Sequence, residues 1–569
     1  RLTGRHPNPA TGEAHYYLGL TLRHLGDVAA GGFFAKAAWN YEWRSSAHYQ
    51  LATLACTRHD FAAALRHLDE SLATNRDHNK AKTLQALALG RLGRKDEALA
   101  VIGALLALDP LDHWAAVTAE LIRHGKIRIP SASRNDAQTI LDLVFDFTEA
   151  GFTAEAIALL DVHHAAPVAA SAVPNPLSHS QMTRYAKAWL TRDPADLAAA
   201  RAQRSDHFFP SRLEEMIILE WAGDPLACYG LGNLLYDKRR HLDAIAAWEK
   251  AEATTIPQVH RNLAIARWNI HRDATAARAG YLKAIELDPG DARLVSEYDQ
   301  LRAKLNDPLE ERLAFLQEKR DLVVQRDDAS VALATLLNLL DRPQDALELL
   351  LSRRFHPWEG GEGGVLRQFT TAKLLIGRQA LEAGNPESAF AHFRGAMDTP
   401  DSLGEKYHLL QAKADVSYWF GRSLQALGRP EEARAAFEAS ASEQGDFSEM
   451  AVTAHSPLTW FRGLSLRELG REKQASALFR DLLAFATARI SQPAKIDYFA
   501  TSLPNLLVFD EDFQARRDAE HCVLAALAHH GLGQIDSAVR LANQALAFNR
   551  ADQHLCNLRH ELDAASSTS

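Results

Sequence analysis

The segment Arg354-Phe355-His356-Pro357-Trp358-Glu359-Gly360-Gly361-Glu362-Gly363-Gly364 gathers the residue types that hold a sugar. An indole ring can stack on the apolar face of a pyranose while carboxylates take its hydroxyls. His356, Trp358, Glu359 and Glu362 are close enough in sequence to share that work. The same text suits a plain insertion in which Trp358 plugs a hole and the glycines turn the chain. No strand precedes the glycines, so they do not read as a phosphate loop. Further on, Asp497 with Asp510, Glu511 or Asp512 has the makings of a glycosidase acid/base pair. Helix N-caps and solvated charge are the simpler account of the same four acids. Tyr41–Ser46 carries Trp43 in what reads as a linker packed under the next helix. The 25 histidines include His163-His164 and His529-His530 but show no H-E-x-x-H or other metal spacing. Cys56, Cys228, Cys522 and Cys556 never approach C-x-x-C, so neither a disulfide framework nor a zinc ribbon is expected, and no cofactor is.

The elements that must position these residues repeat. Ala30–Phe34–Ala37, Ala64–Leu68–Ser71 and Ala98–Ile102–Leu105 share the spacing Ala-x3-large-x2-small, and their leading alanines stand 34 residues apart. The spacing predicts a helix whose small residue lets a neighbour approach closely while the larger one fills the adjoining groove. The stamp continues at Ala156, Ala244, Ala277, Ala346, Ala389, Ala433, Ala475 and Ala538, giving eleven candidate units. Gly93, Gly151, Gly384, Gly428, Gly470 and Gly533 precede their alanines as inter-helix turns, and Leu231-Gly232 and Phe420-Gly421 mark first helices. One such helix pair cannot bury its apolar face alone, so stacking must stabilise the array.

This stamp and period resemble the tetratricopeptide (TPR) repeat, which implies an all-α, right-handed solenoid of helix-turn-helix units with inserted helices and loops. First helices line the concave face of such an array. Counting from the stamps puts Tyr49, Tyr229, Asn233, Asn262, Asn269, Asn338, Arg378, Tyr418, Arg422 and Trp460 there. Asn, Arg and Tyr suit capture of a peptide backbone or a carboxylate. Tyr229 stands where the peptide-clamp modules of chaperone partners carry their first Lys, a departure from that mode. Tyr41–Gln50, Phe355–Gly363 and Lys495–Pro504 resemble a bacterial group in which a TPR array follows a β-rich domain of the galactose-mutarotase type. That resemblance implies a carbohydrate context and a β domain upstream of Arg1.

The organisation expected is TPR units over 1–123, an atypical helical segment with a Pro-rich joint near Pro174 over 124–210, and TPR units over 211–306. Units with inserted loops follow over 307–563, then a disordered tail over 564–569. A formal net charge of −9 argues against a nucleic-acid partner, and no apolar run approaches the roughly 18 residues of a membrane span. With no leader visible, a cytoplasmic location is expected. The expected function is a scaffold for a protein or peptide, or for the chain's own upstream domain. The alternative is the helical part of a carbohydrate-active protein.

Overall fold

The computed structural model describes residues 10–165, 180–202, 208–358, 360–448, 451–490, 492–494 and 507–567. Pro174, Glu359 and the Lys495–Pro504 phrase with Asp497 lie outside them. Among the described residues the chain is helical throughout, apart from one hairpin that pairs Asp446 with Thr453 and Ser448 with Ala451. It divides into two compact units, Arg1–Thr254 and Thr255–Ser569. The boundary falls inside the stretch 211–306 that the sequence presents as one run of repeats.

Each unit is built from antiparallel helix pairs, such as Tyr41–Thr57 with Phe61–Thr74 in the first and Ala414–Ala426 with Pro430–Ser442 in the second. All eleven stamped alanines are buried, none more than 2% exposed. In ten of the eleven the residue four positions later is large and buried, from Phe34 to Phe479; after Ala538 it is Ala542. What faces that large residue follows its size. Gly232, Gly377, Gly421 and Gly463 lie sixteen residues before Trp248, Phe393, Phe437 and Phe479. A Cβ on any of these glycines would come within 2.2–2.6 Å of the facing ring, which no real Cβ does. Where the larger residue is Leu68, Ile102 or Leu350, the position sixteen before it is Ala52, Ala86 or Ala334, each buried. Small faces large, and the sum is held near constant, as close packing demands.

Asp side chains cap many of the helices: Asp60, Asp112, Asp273 and Asp512 each accept from the backbone N–H three residues on. The turn inside a pair needs one residue at positive φ, supplied by Gly93 (φ 77°) or Gly428 (φ 69°) but also by Arg239 (φ 59°) and Asp341 (φ 56°).

The insertions in the steps after Ala346 and Ala389 pack on each other rather than fanning outward. Phe355 is buried and its N–H donates to the Ser402 carbonyl at 2.8 Å. Glu405 reaches across to the N-terminus of the helix Gly364–Glu382, accepting from Gly363 N at 2.6 Å and Val365 N at 3.0 Å. The last helix runs Gln553–Ser567, so Ala564–Ser567, read from composition as a disordered tail, continue a helix.

Candidate functional site

In the second unit the first helices Gly364–Glu382, Ala414–Ala426 and Leu458–Glu468 carry Arg378, Tyr418, Arg422 and Trp460. The chain's last helix, Gln553–Ser567, bonds to Arg378 and shares an apolar cluster with Tyr418 and Trp460. Leu555 and Leu558 are fully buried in one apolar cluster with Tyr418, Trp460 and Val523. Arg378 donates to Glu561 Oε1 at 3.0 Å and to Asn557 Oδ1 at 3.3 Å, and its guanidinium lies 4.7 Å over the Trp419 ring. Burial pulls the Arg378 guanidinium below its usual value against the opposing pull of Glu561. Arg422 donates to the Tyr418 hydroxyl at 3.0 Å, and Trp460 meets His530 edge-on at 5.4 Å. Among the described residues, Trp460 Nε1 and His530 Nδ1 are buried without a hydrogen-bond partner. Arg378, Tyr418 and Trp460, read from the sequence as lining the concave face, are 7%, 5% and 3% exposed.

The remaining groove residues are spread over other tasks. Asn338 is buried and donates to the Gln368 carbonyl and side chain at 3.1 and 3.0 Å, so it joins two successive first helices instead of facing a partner. Asn269 donates to the Val508 carbonyl at 3.1 Å and accepts from Asp510 N at 2.8 Å, pinning the segment after residue 506. Asn262 accepts from Arg261 at 3.0 Å. In the first unit Asn233 accepts from Trp248 Nε1 at 3.2 Å, as does the Tyr229 carbonyl, and Tyr49 is buried against the His78 ring at 4.8 Å.

The glycine-rich loop is half-way between plug and site. Trp358 is half-buried against the cluster of Phe355, Phe369 and Leu403, with Gly361 on its ring: a Cβ there would lie 1.9 Å away. Glu362 is exposed and folds back to accept from Gly360 N at 2.9 Å. His356 is exposed, its N–H held by Asp327 Oδ2 at 2.9 Å. Of the acids after Phe509, Asp512 caps a helix and Glu511 pairs with Lys304, while Asp510 is exposed with Arg272 at 3.7 Å. The described carboxylates of this stretch are thus committed to caps and ion pairs.

A second cluster in this unit was not singled out from sequence. The helix Ala292–Lys304 presents Arg293, Glu297 and Gln300 on one face, next to Arg326 and Asp328 at the start of Asp327–Leu339. With Leu507 and Val508 they line a recess of about 380 Å³. Burial pushes the Glu297 carboxyl up, but Arg261 and Arg293 outweigh it and hold the group below the usual carboxylate range. An Arg-x3-Glu pair on a helix is so common that no sequence signal marks this one. The amphipathic Leu555–Leu558–Glu561 spacing, by contrast, was there to be read.

The tetratricopeptide repeat family matches residues 49–113 and 229–292. Among solved structures, the chain is similar to Naa15/Naa10 bound to HypK-THB at 14% identity, covering 98% of this chain and 87% of that one with a TM-score of 0.24. It is similar to the APC/C hetero-tetramer Cut9–Hcn1 at 13% identity, covering 97% and 96% with a TM-score of 0.24. Yeast Tom70 matches at 13% identity, covering 74% and 96% with a TM-score of 0.22. At TM-scores this low, neither the path of those solenoids nor their partners carry over. The family model thus matches two segments of the chain, and antiparallel helix pairs continue beyond both.

Proposed function

We propose that this chain is a protein-interaction scaffold whose groove in the second unit takes an amphipathic helix from a protein partner. One observation supports the reading: Leu555 and Leu558 of the chain's last helix are buried in the cluster that holds Tyr418 and Trp460, and Glu561 of the same helix accepts from Arg378. A surface that seats leucines three residues apart and an acid three residues later recognises any helix with that face. The buried Trp460 Nε1 and His530 Nδ1 leave polar capacity there for a different occupant.

A second reading, docking of a β-rich upstream domain, is favoured by the first helix pair. Tyr17, Trp39 and Tyr41 are 54%, 79% and 75% exposed there, a concentration of aromatic surface of the kind that meets another polypeptide. A peptide and glycan array probed with the chain tests both against a carbohydrate role. Helical peptides with the Leu-x2-Leu-x2-Glu face should be retained and glycans should not. Glycan binding lost in Trp358→Ala at unchanged stability would replace the scaffold reading with a sugar-binding one.

A further inference from the structure

The recess beside Glu297 is distinguished by which hydrogen-bonding capacity is left over. Glu297 Oε1 accepts from Arg261 Nη2 at 2.7 Å and Arg293 Nε at 2.7 Å; its Oε2 accepts from Arg261 Nε at 2.6 Å and the Tyr281 hydroxyl at 3.0 Å. Asp328 is filled in the same way. Its Oδ1 takes Arg326 Nε at 3.0 Å and Ala329 N at 2.8 Å, and its Oδ2 takes Arg326 Nη2 at 2.9 Å and Ser296 Oγ at 3.0 Å. Every carboxylate oxygen on the wall therefore has two donors, its full complement of lone pairs.

The donors are not used up. Among the described residues no protein acceptor takes the Nη nitrogens of Arg293 or Nη1 of Arg326. The Arg326 guanidinium is held by two bonds to Asp328 and that of Arg293 is tethered through Nε, which lowers the rotamer entropy a ligand must still remove. Two apolar residues complete the lining: Leu507 is exposed, and Val508 is anchored by Asn269 and by Phe509, which is buried beside Tyr281 at 5.9 Å. Asp291, the nearest further acid, is occupied capping its helix at Arg293 N, 2.7 Å away.

Free N–H donors on Arg293 and Arg326 beside saturated carboxylates favour an acceptor group, Gln300 adding an amide that can donate or accept, and Leu507 and Val508 favour an apolar body. We infer that this recess binds an organic carboxylate, with the carboxylate on Arg293 and Arg326 and its apolar skeleton against Leu507 and Val508. The volume of about 380 Å³ is at the small end of ligand sites and suits a short branched acid or the last residue of a peptide. The recess uses none of the residues of the groove at Arg378, so the two readings stand or fall separately.

The experiment is titration calorimetry of the chain with 4-methylpentanoate, its amide, inorganic phosphate, and a leucine-terminated peptide with a free or amidated end. The acid is expected to bind at least about tenfold more tightly than the amide, the discrimination of one charge-assisted fork. Arg293→Gln should remove that preference while the circular dichroism spectrum shows the helices intact, with some loss of Tm expected from the bond to Glu297. Leu507→Ser should weaken the acid and leave phosphate unaffected. If the free-ended peptide outbinds the small acid, the carboxylate is a chain terminus; if the small acid wins, it is a metabolite, and both outcomes uphold the carboxylate site. Equal binding of acid and amide, no binding of any probe at 10 mM, or phosphate binding tighter than the acid overturns it.

Discussion

Ring and glycine are matched across four of the helix pairs, and this pairing can be tested at the residue level. A methyl group on Gly421 would come 2.6 Å from Cε1 of Phe437, so Gly421→Ala should destabilise the chain by about 1–3 kcal/mol. Phe437→Leu alone leaves a cavity and costs about 1–2 kcal/mol. The double variant recreates the Ala52–Leu68 pairing found elsewhere in the array and should recover most of both losses in a thermal unfolding cycle. Additive losses would mean that the glycine serves something other than the ring. At Asp341, held at φ 56°, substitution by glycine relieves a left-handed backbone and should stabilise by about 1 kcal/mol in denaturant unfolding. The alanine stamps were legible in sequence because close approach admits few residue types. The saturated carboxylates Glu297 and Asp328 were not, since their donors Arg261 and Ser296 lie 36 and 32 residues away and meet them only after the helices stack.

Elements are joined at their ends by acids supplied from a distance. Glu405 neutralises the N-terminus of Gly364–Glu382 from an insertion about forty residues downstream, where both backbone hydrogen bonds and the helix dipole favour it. Glu405→Ala should raise hydrogen exchange at Val365 and Leu366 by about tenfold, the equivalent of a lost cap; unchanged exchange would show the helix end to be secured otherwise. At the next first helix, burial, with Glu443 and Asp446 nearby, raises the Asp415 carboxyl to about 7. An unfolded Asp titrates near 4, so between roughly pH 4 and 7 the folded chain holds a proton that the unfolded chain has released. Stability accordingly falls as pH rises through that window. Asp415→Asn should flatten that part of the profile and gain on the order of 1–2 kcal/mol at pH 8, measured by thermal unfolding across pH. The sequence announced the insertions by their step lengths, yet not that they would pack on each other, since Phe355 and Ser402 carry no local signal of their pairing.

At the scale of the whole molecule, helix pairs and their turns followed from periodicity, while the state of the groove did not. Counting from the stamps puts Arg378, Tyr418, Arg422 and Trp460 on first helices, and they lie on Gly364–Glu382, Ala414–Ala426 and Leu458–Glu468. It could not reveal that a helix at Gln553–Ser567 returns to pair with Arg378, because Arg378 and Glu561 are 183 residues apart. Asn306 secures the approach to that helix, donating to the Leu546 and Ala547 carbonyls at 3.1 and 3.0 Å and accepting from Arg550 N at 2.9 Å. The claim that this groove is a helix-binding surface is tested most directly by supplying its occupant in trans. A labelled peptide of residues 549–569 is titrated by fluorescence anisotropy into the full chain and into the full chain carrying Leu555→Asp and Leu558→Asp. The account predicts saturable binding to the variant, little to the unmodified chain, and loss of binding when Arg378→Glu is added. Equal binding to all three proteins, or none to the variant while its helical content is intact, would contradict it.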